Sequence, residues 1–220
     1  MRVTMKKVKI EVSALLMLAA MIMSDRAEIL VLYYLSAGLH ECGHLAAAKL
    51  QKIGIKEIRF SFSGARICPE DEILSYKNEF LLAAAGPFAN FLSITAIMIF
   101  FLSKGVTLTA AAERCMAFLF EDEVSVVGAV SFVALSSFLQ GMLNLLPVKT
   151  FDGGRMTYCL TARLFGERVA ERIVDIFSAL SALVLWTTAL YMMLRISSGL
   201  GIYVFAVGMF ASTLKETEIS

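Results

Sequence analysis

His40, Glu41 and His44 form the pattern H-E-x-x-H and are the residues of this chain best suited to chemistry. Residues four apart lie on one face of a helix, so both imidazoles can converge on a single metal ion with the carboxylate beside them. The chain has two histidines, and both belong to this pattern. The rest of the segment 29–48 is apolar, small or uncharged, and an ionisable cluster at membrane depth is costly unless it is paired or binds a metal. The pattern therefore predicts a metal site in preference to a pair of neutral packing histidines.

A carboxylate far along the chain is the leading candidate for a third ligand. The pattern N-x-x-P-x-x-x-x-D-G-G runs from Asn144 to Gly154. Pro147 ends a helix because it lacks a backbone donor, and the two glycines let the chain turn closely afterwards. Asp152 is thereby placed where an apolar helix stops. An Asp before two glycines usually makes only a turn in a soluble protein, but the two histidines need a further ligand here.

A third pattern, G-P-x-x-N, runs from Gly86 to Asn90 inside the segment 80–103, which has no charged residue. Gly and Pro permit close approach and a local bend, and an asparagine at this depth needs a hydrogen-bond partner. Taken alone, the pattern also fits a packing device between two helices.

Composition places the chain in a membrane, because 58% of its 220 residues are hydrophobic. The formal net charge of +1 and the lack of a basic stripe argue against a nucleic-acid partner. The four cysteines are far apart and include no C-x-x-C, which predicts free thiols. No composition shift marks a linker, so we expect a single domain over residues 1–220.

The apolar segments predict an all-α polytopic membrane protein with about six transmembrane helices. They are residues 12–23, 28–50, 80–103, 124–148, 176–194 and 196–214. The first is short for a bilayer core that needs about 20 helical residues. It is expected to span, and cleavage as a signal peptide or an interfacial position would leave five spans.

Two features of the connections complete the predicted fold. Residues 55–67 alternate apolar and polar side chains, which predicts a small β-hairpin or sheet after the second helix, and residues 8–12 resemble a strand. The region 105–123 reads as an extracytoplasmic connection with an interfacial helix. Basic residues are concentrated after the second apolar segment: Lys49, Lys52, Lys56, Arg59, Arg66 and Lys77. The positive-inside rule then predicts that both termini are cytoplasmic and that the metal site lies nearer the cytoplasmic side.

The three patterns, in their order along the chain (H-E-x-x-H, G-P-x-x-N, then N-x-x-P-x-x-x-x-D-G-G), resemble those of the site-2 protease family of intramembrane zinc metalloproteases. The compact plan is most similar to the bacterial branch that contains the sporulation pro-sigma-factor processing protease. The resemblance covers nearly the whole chain and implies that His40, His44 and Asp152 bind Zn²⁺. It also implies that Glu41 is the catalytic base.

Two asparagines receive roles from the same resemblance. Asn90 and Asn144 match the family's asparagines and are expected to line the substrate path, where they hold the substrate backbone or donate a hydrogen bond to the developing oxyanion. The chain departs from the family at Cys42, where an apolar residue is usual. It departs again at residues 149–151, where many members have a proline and small or apolar residues. Neither departure removes a ligand.

The implied function is hydrolysis of a peptide bond in or near a transmembrane or membrane-associated segment of a substrate protein. The expected location is the bacterial plasma membrane, and the expected partner is a membrane-protein or membrane-associated precursor. An inhibitory or regulatory membrane partner is compatible with this function, and the oligomeric state is left open. The strand at 55–67 either covers the helix ends or pairs its edge with an unwound substrate segment.

Two other classes of protein remain as alternatives. A membrane metal-ion transporter can also carry H-E-x-x-H within a span, but it should have further histidine or aspartate ligands, and this chain has no third histidine. A catalytically inactive membrane scaffold is the second alternative, and the presence of Glu41 counts against it.

Overall fold

The computed structural model describes residues 7–10, 27–61, 64–69, 74–121 and 123–195. The described chain is mostly helical, which confirms the predicted helical class. The helices are α1 (Ala27–Leu50), α2 (Tyr76–Ser103), α3 (Leu108–Phe120), α4 (Val126–Asn144), α5 (Asp152–Phe165) and α6 (Glu167–Arg195). The strands are β1 (Lys7–Ile10), β2 (Ile55–Ser61) and β3 (Gly64–Pro69). The predicted spans at 12–23 and 196–214 lie outside the described residues, so the count of six stays a prediction.

The three strands form one sheet in the order β1-β2-β3. β1 pairs with β2 in parallel, and β2 pairs with β3 antiparallel with an irregularity between Ile55 and Glu57. Parallel neighbours need a crossover connection, and here the chain between β1 and β2 contains α1. The sheet thus pairs a strand that precedes α1 in the sequence with the strand that follows it.

The chain divides into two compact units. Among the described residues, the first unit comprises residues up to 69 together with 84–121 and 123–143. The second comprises residues 74–83 and 144–195. The long helix α2 contributes its first turns to the second unit and the remainder to the first.

Helix α1 has a polar buried face and an apolar exposed face. Its buried residues are spaced by four and form one stripe: Ser36, His40, His44 and Ala48. Val31, Leu35 and Leu39 are exposed. This distribution is the reverse of a water-soluble helix and suits a helix whose outer face meets lipid.

Helices α2 and α4 are long and apolar enough to cross a membrane, at 28 and 19 residues. α4 repeats the inverted pattern of α1, because Ser131, Ser136 and Ser137 are buried while Phe138 and Leu139 are exposed. Lipid on the outside and a polar interior explain both helices.

A helix is present within the connection 105–123, as predicted. Thr107 caps the N-terminus of α3, where its hydroxyl accepts a hydrogen bond from the Ala110 N–H at 3.2 Å. α3 buries Cys115 and Phe118 against Phe132 of α4, and Ile29, Leu32 and Tyr33 of α1 pack on this cluster. The apolar contact holds the N-terminal part of α1 in place.

In the second unit, α5 and α6 pack together around the turn at Gly166, which has φ 87° and therefore suits a glycine. The Tyr76 hydroxyl donates to Glu167 at 2.6 Å and joins the start of α2 to α6. The Lys149 N–H donates to the Ser178 hydroxyl at 2.9 Å. The second bond holds the segment before α5 on α6.

Candidate metal centre

The two histidines converge within the first unit. His40 and His44 are 3% and 6% exposed, and their Nε2 atoms lie 3.1 Å apart. The rings meet edge to face, with centroids 4.8 Å apart. Two imidazole nitrogens on a tetrahedral zinc ion, each at about 2.0–2.1 Å, are roughly 3.3 Å apart. The observed pair therefore fits the ligand arrangement that H-E-x-x-H predicts.

Gly86 of α2 leaves room for this pair. A Cβ at Gly86 would lie 2.5 Å from His40 Nε2 and closer still to His44 Nε2, well below the 3.0 Å that real Cβ atoms keep. Every side chain other than hydrogen would therefore fill the space beside the two ligand nitrogens. The glycine that the sequence assigned to close approach is placed against the candidate site itself.

The packing of α1 on α2 has a separate cause. A Cβ at Gly43 would lie 2.7 Å from the Ala89 Cβ and closer still to the Ala85 carbonyl oxygen. Because the backbones of α1 and α2 touch at Gly43, the imidazoles of His40 and His44 are held against Gly86. The two glycines thus do different work: Gly43 brings the helices together, and Gly86 keeps space open.

Asn90 contacts His40. It is 0% exposed, and its Nδ2 lies 3.1 Å from His40 Nδ1 and 3.4 Å from the Gln140 Oε1. Asn90 follows Gly86 by four residues, so both lie on the face of α2 that meets the histidines. The G-P-x-x-N pattern therefore places Gly86 beside the Nε2 atoms of the imidazole pair and the Asn90 amide beside Nδ1 of His40.

Three polar residues that belong to none of the sequence patterns lie behind Asn90. Ser137 donates to Ser36 at 3.2 Å, and Ser36 donates to Gln140 at 3.4 Å. The signal for Gln140 is present in the sequence, since it is a carboxamide in an otherwise apolar segment. Ser36 is signalled by its spacing of four from His40.

Glu41 follows His40 on α1 and is partly buried, with its Oε2 atom out of contact with solvent. Glu41 is the acidic residue that lies between His40 and His44 in the sequence. Asn144, the remaining predicted residue, is the last residue of α4 and is partly buried.

Asp152 lies in the second unit as the first residue of α5, and it is 8% exposed. The chain before it folds tightly onto the two glycines that follow. A Cβ at Gly153 would lie 2.5 Å from the Leu146 carbonyl oxygen, and one at Gly154 would lie 2.9 Å from the Lys149 nitrogen, each with still closer backbone neighbours. The predicted close turn is present, and it buries the carboxylate at a helix N-terminus, where the helix dipole favours a negative charge.

A guanidinium lies beside this carboxylate. Arg155 donates through Nε and Nη2 to Glu79 Oε1 at 2.9 and 2.6 Å. Its Nη1 is 3.9 Å from Asp152 Oδ1. Glu79 thus anchors Arg155, and Arg155 faces Asp152; sequence analysis singled out neither residue.

The family model of Peptidase family M50 matches residues 28–188, which include all three sequence patterns. The chain belongs to peptidase family M50. This membership confirms the resemblance to the site-2 proteases. M50 is a family of metalloproteases, and membership of it implies a metal cofactor. Resemblance to the sporulation branch stays a prediction.

The fold of this M50 peptidase is similar to that of a solved protein, the site-2 protease from Methanocaldococcus jannaschii, with a TM-score of 0.65 and 19% sequence identity. The match covers 98% of this chain and 93% of the other. Comparison with curated proteins finds no match. Family membership together with the apolar helices α2 and α4 makes the chain an integral membrane protein.

Proposed function

We propose that the chain is an intramembrane zinc metalloprotease of the site-2 type, which hydrolyses a peptide bond in or near a transmembrane or membrane-associated segment of a substrate protein. The observation that carries this proposal is the buried pair His40 and His44, with Nε2 atoms 3.1 Å apart on a mostly apolar helix. Membership of family M50 supports it.

The proposed ligands are His40, His44 and Asp152. Each is buried and offers one ligand atom, and the match to family M50 supports their assignment to one metal ion. Two imidazoles and one carboxylate form a donor set typical of catalytic zinc, because three protein ligands leave a fourth position open. Soft thiolate ligands are not part of this set, which favours zinc bound for catalysis over a cysteine-rich structural site.

The proposed chemistry divides between the metal and the chain. When bound, zinc supplies Lewis acidity that polarises a carbonyl and lowers the pKa of water to about 7. Glu41 takes the proton from the attacking water and returns it to the leaving nitrogen as general base and then general acid. Asn144 is proposed to bind the substrate backbone or donate to the oxyanion. Asn90, proposed for the same two roles, also acts on His40, as developed below.

The proposed substrate is a membrane-protein or membrane-associated precursor in the bacterial plasma membrane, cut nearer the cytoplasmic side, with both termini of the protease cytoplasmic. A helical substrate hides its amides in its own hydrogen bonds, so the segment must unwind before its carbonyl can react. Basic residues that follow α1 support this orientation.

Metal removal tests the proposal. Co-reconstituted in vesicles with a panel of tagged single-span membrane proteins, the chain should cut at least one of them. Cleavage should stop with a zinc chelator and return on addition of Zn²⁺, because the reaction depends on the Lewis acid. Cleavage that persists in metal-free protein would contradict the proposal. Zinc flux into vesicles without any cleavage would favour a transporter.

The Arg155 contact gives a second prediction. Arg155→Gln should weaken zinc affinity about tenfold, since groups that orient a ligand typically contribute that much. Arg163→Gln is the matched control, because Arg163 lies on the same helix and is exposed. Competition with a chromophoric chelator measures both. Equal affinity in the two variants would remove Arg155 from the site.

A further inference from the structure

The inference concerns the polar residues behind His40 and rests on the proposed zinc site. We propose that Gln140 is a positioning residue: it holds the Asn90 amide against His40 Nδ1, so that Asn90 can accept the Nδ1 proton when His40 Nε2 is the metal ligand. Ser36 and Ser137 support Gln140 from behind. The chain Ser137–Ser36–Gln140–Asn90–His40 is called the amide relay below.

The tautomer requirement follows from the positions of the two ring nitrogens. His40 Nε2 faces His44, and His40 Nδ1 faces Asn90 at 3.1 Å. A neutral imidazole that binds metal through Nε2 carries its proton on Nδ1 and must donate it to an oxygen. At Asn90, this oxygen can only be Oδ1.

With the amide nitrogens and oxygens as placed, the relay runs in the opposite direction. The Asn90 Nδ2 faces both His40 Nδ1 and Gln140 Oε1. In this direction His40 Nδ1 accepts and its proton sits on Nε2, where it can donate to His44 Nε2 at 3.1 Å. This direction gives both ring nitrogens of His40 a partner.

A half-turn of each amide reverses the relay with no change in backbone. Carboxamide nitrogen and oxygen are nearly equal in shape, and a serine hydroxyl both donates and accepts. His40 Nδ1–H then donates to Asn90 Oδ1, the Gln140 amide also donates to that oxygen, and the Ser36 hydroxyl accepts from Gln140. The other Asn90 position, which has no hydrogen-bond partner among the described residues, then holds an N–H donor.

Gln140 is essential to this scheme because it can serve both directions. Its oxygen accepts from Asn90 in one, and its nitrogen donates to Asn90 in the other. Asn90 is 0% exposed, and a buried amide that loses a hydrogen-bond partner is costly. The relay therefore couples the metal-binding state of α1 to the amides of α2 and α4.

Asn90 substitutions give the sharpest test. Asn90→Asp offers only acceptors toward His40, so it should keep or tighten zinc affinity, in the manner of carboxylate–histidine–zinc groups. Asn90→Leu should weaken zinc affinity at least about tenfold. If Asn90 instead had to donate to His40, the aspartate variant would lose zinc, and that result would overturn the inference.

Gln140 is tested by Gln140→Met, with Gln51→Met at the chain's other glutamine as the matched control. Zinc affinity should fall about tenfold in the first and stay unchanged in the second. Nitrogen-15 NMR of labelled histidine reports the tautomer directly, and the chain has two histidines, so the spectra are simple. Zinc should move the His40 proton to Nδ1 in the wild-type chain and do so incompletely in Gln140→Met.

The outcomes separate the relay from the proposed function. The relay is overturned if the wild-type chain binds zinc but Asn90→Asp does not. It is also overturned if Gln140→Met keeps the wild-type zinc affinity and His40 tautomer. Both results leave the protease proposal standing. No zinc binding by the wild-type chain overturns the proposed function itself. If Gln140→Met fails to fold, Asn90→Asp decides the question.

Discussion

Glu41→Gln is expected to reduce cleavage by roughly 10²–10⁴-fold while the purified protein keeps its zinc. The substitution preserves the size of the side chain but removes the base, and a positioned general acid–base group contributes about that factor. Membrane proteomes of cells that carry the wild-type and Glu41→Gln chains should differ in the processing of individual membrane proteins, and those proteins are the candidate substrates.

Glu28→Gln, in the first turn of the same helix, is the control for Glu41→Gln and should cut normally. Normal cleavage by Glu41→Gln would contradict a role as catalytic base. Loss of zinc in Glu41→Gln would point instead to a ligand. Zinc transport that survives the change, with no cleavage by either chain, would favour the carrier.

Gly86→Ala is expected to abolish zinc binding and lower activity at least about 100-fold, because a displacement of about 1 Å at a catalytic centre can cost that much. The new Cβ would lie 2.5 Å or less from both Nε2 atoms. The imidazoles are the ends of side chains and can rotate away, so the fold should survive while the site is lost. Zinc content and the thermal unfolding temperature measure the two effects separately.

Two glycines of α1, Gly38 and Gly43, provide the comparison for Gly86→Ala. Gly38→Ala meets nothing within 4 Å and should leave both zinc content and stability unchanged. Gly43→Ala meets the Ala85 carbonyl, which is backbone and cannot move aside, so it should lower stability instead. Normal zinc content in Gly86→Ala would show that α2 does not approach the histidines as described.

Local patterns made the helices and the histidine pair predictable. The apolar runs predicted α1, α2 and α4 within a few residues of their ends. A helix in lipid must satisfy its backbone hydrogen bonds internally, so it appears in the sequence as one continuous apolar segment. The spacing of four between His40 and His44 placed both rings on one face, since the geometry of a single helix decides it. The turn at Asp152 was likewise foreseen from a proline and two adjacent glycines.

Tertiary structure decided what surrounds these residues. The family resemblance assigned Asn90 to a substrate path, which stays a prediction, and the fold also brings Asn90 to His40 Nδ1. Gln140 and Ser36 became part of the candidate site only because α4 and α1 pack beside α2. A single sequence thus determined which side chains share a helix face, because helical periodicity is local. It did not determine which faces meet, because that depends on how closely backbones approach, and here glycines on different helices set that distance.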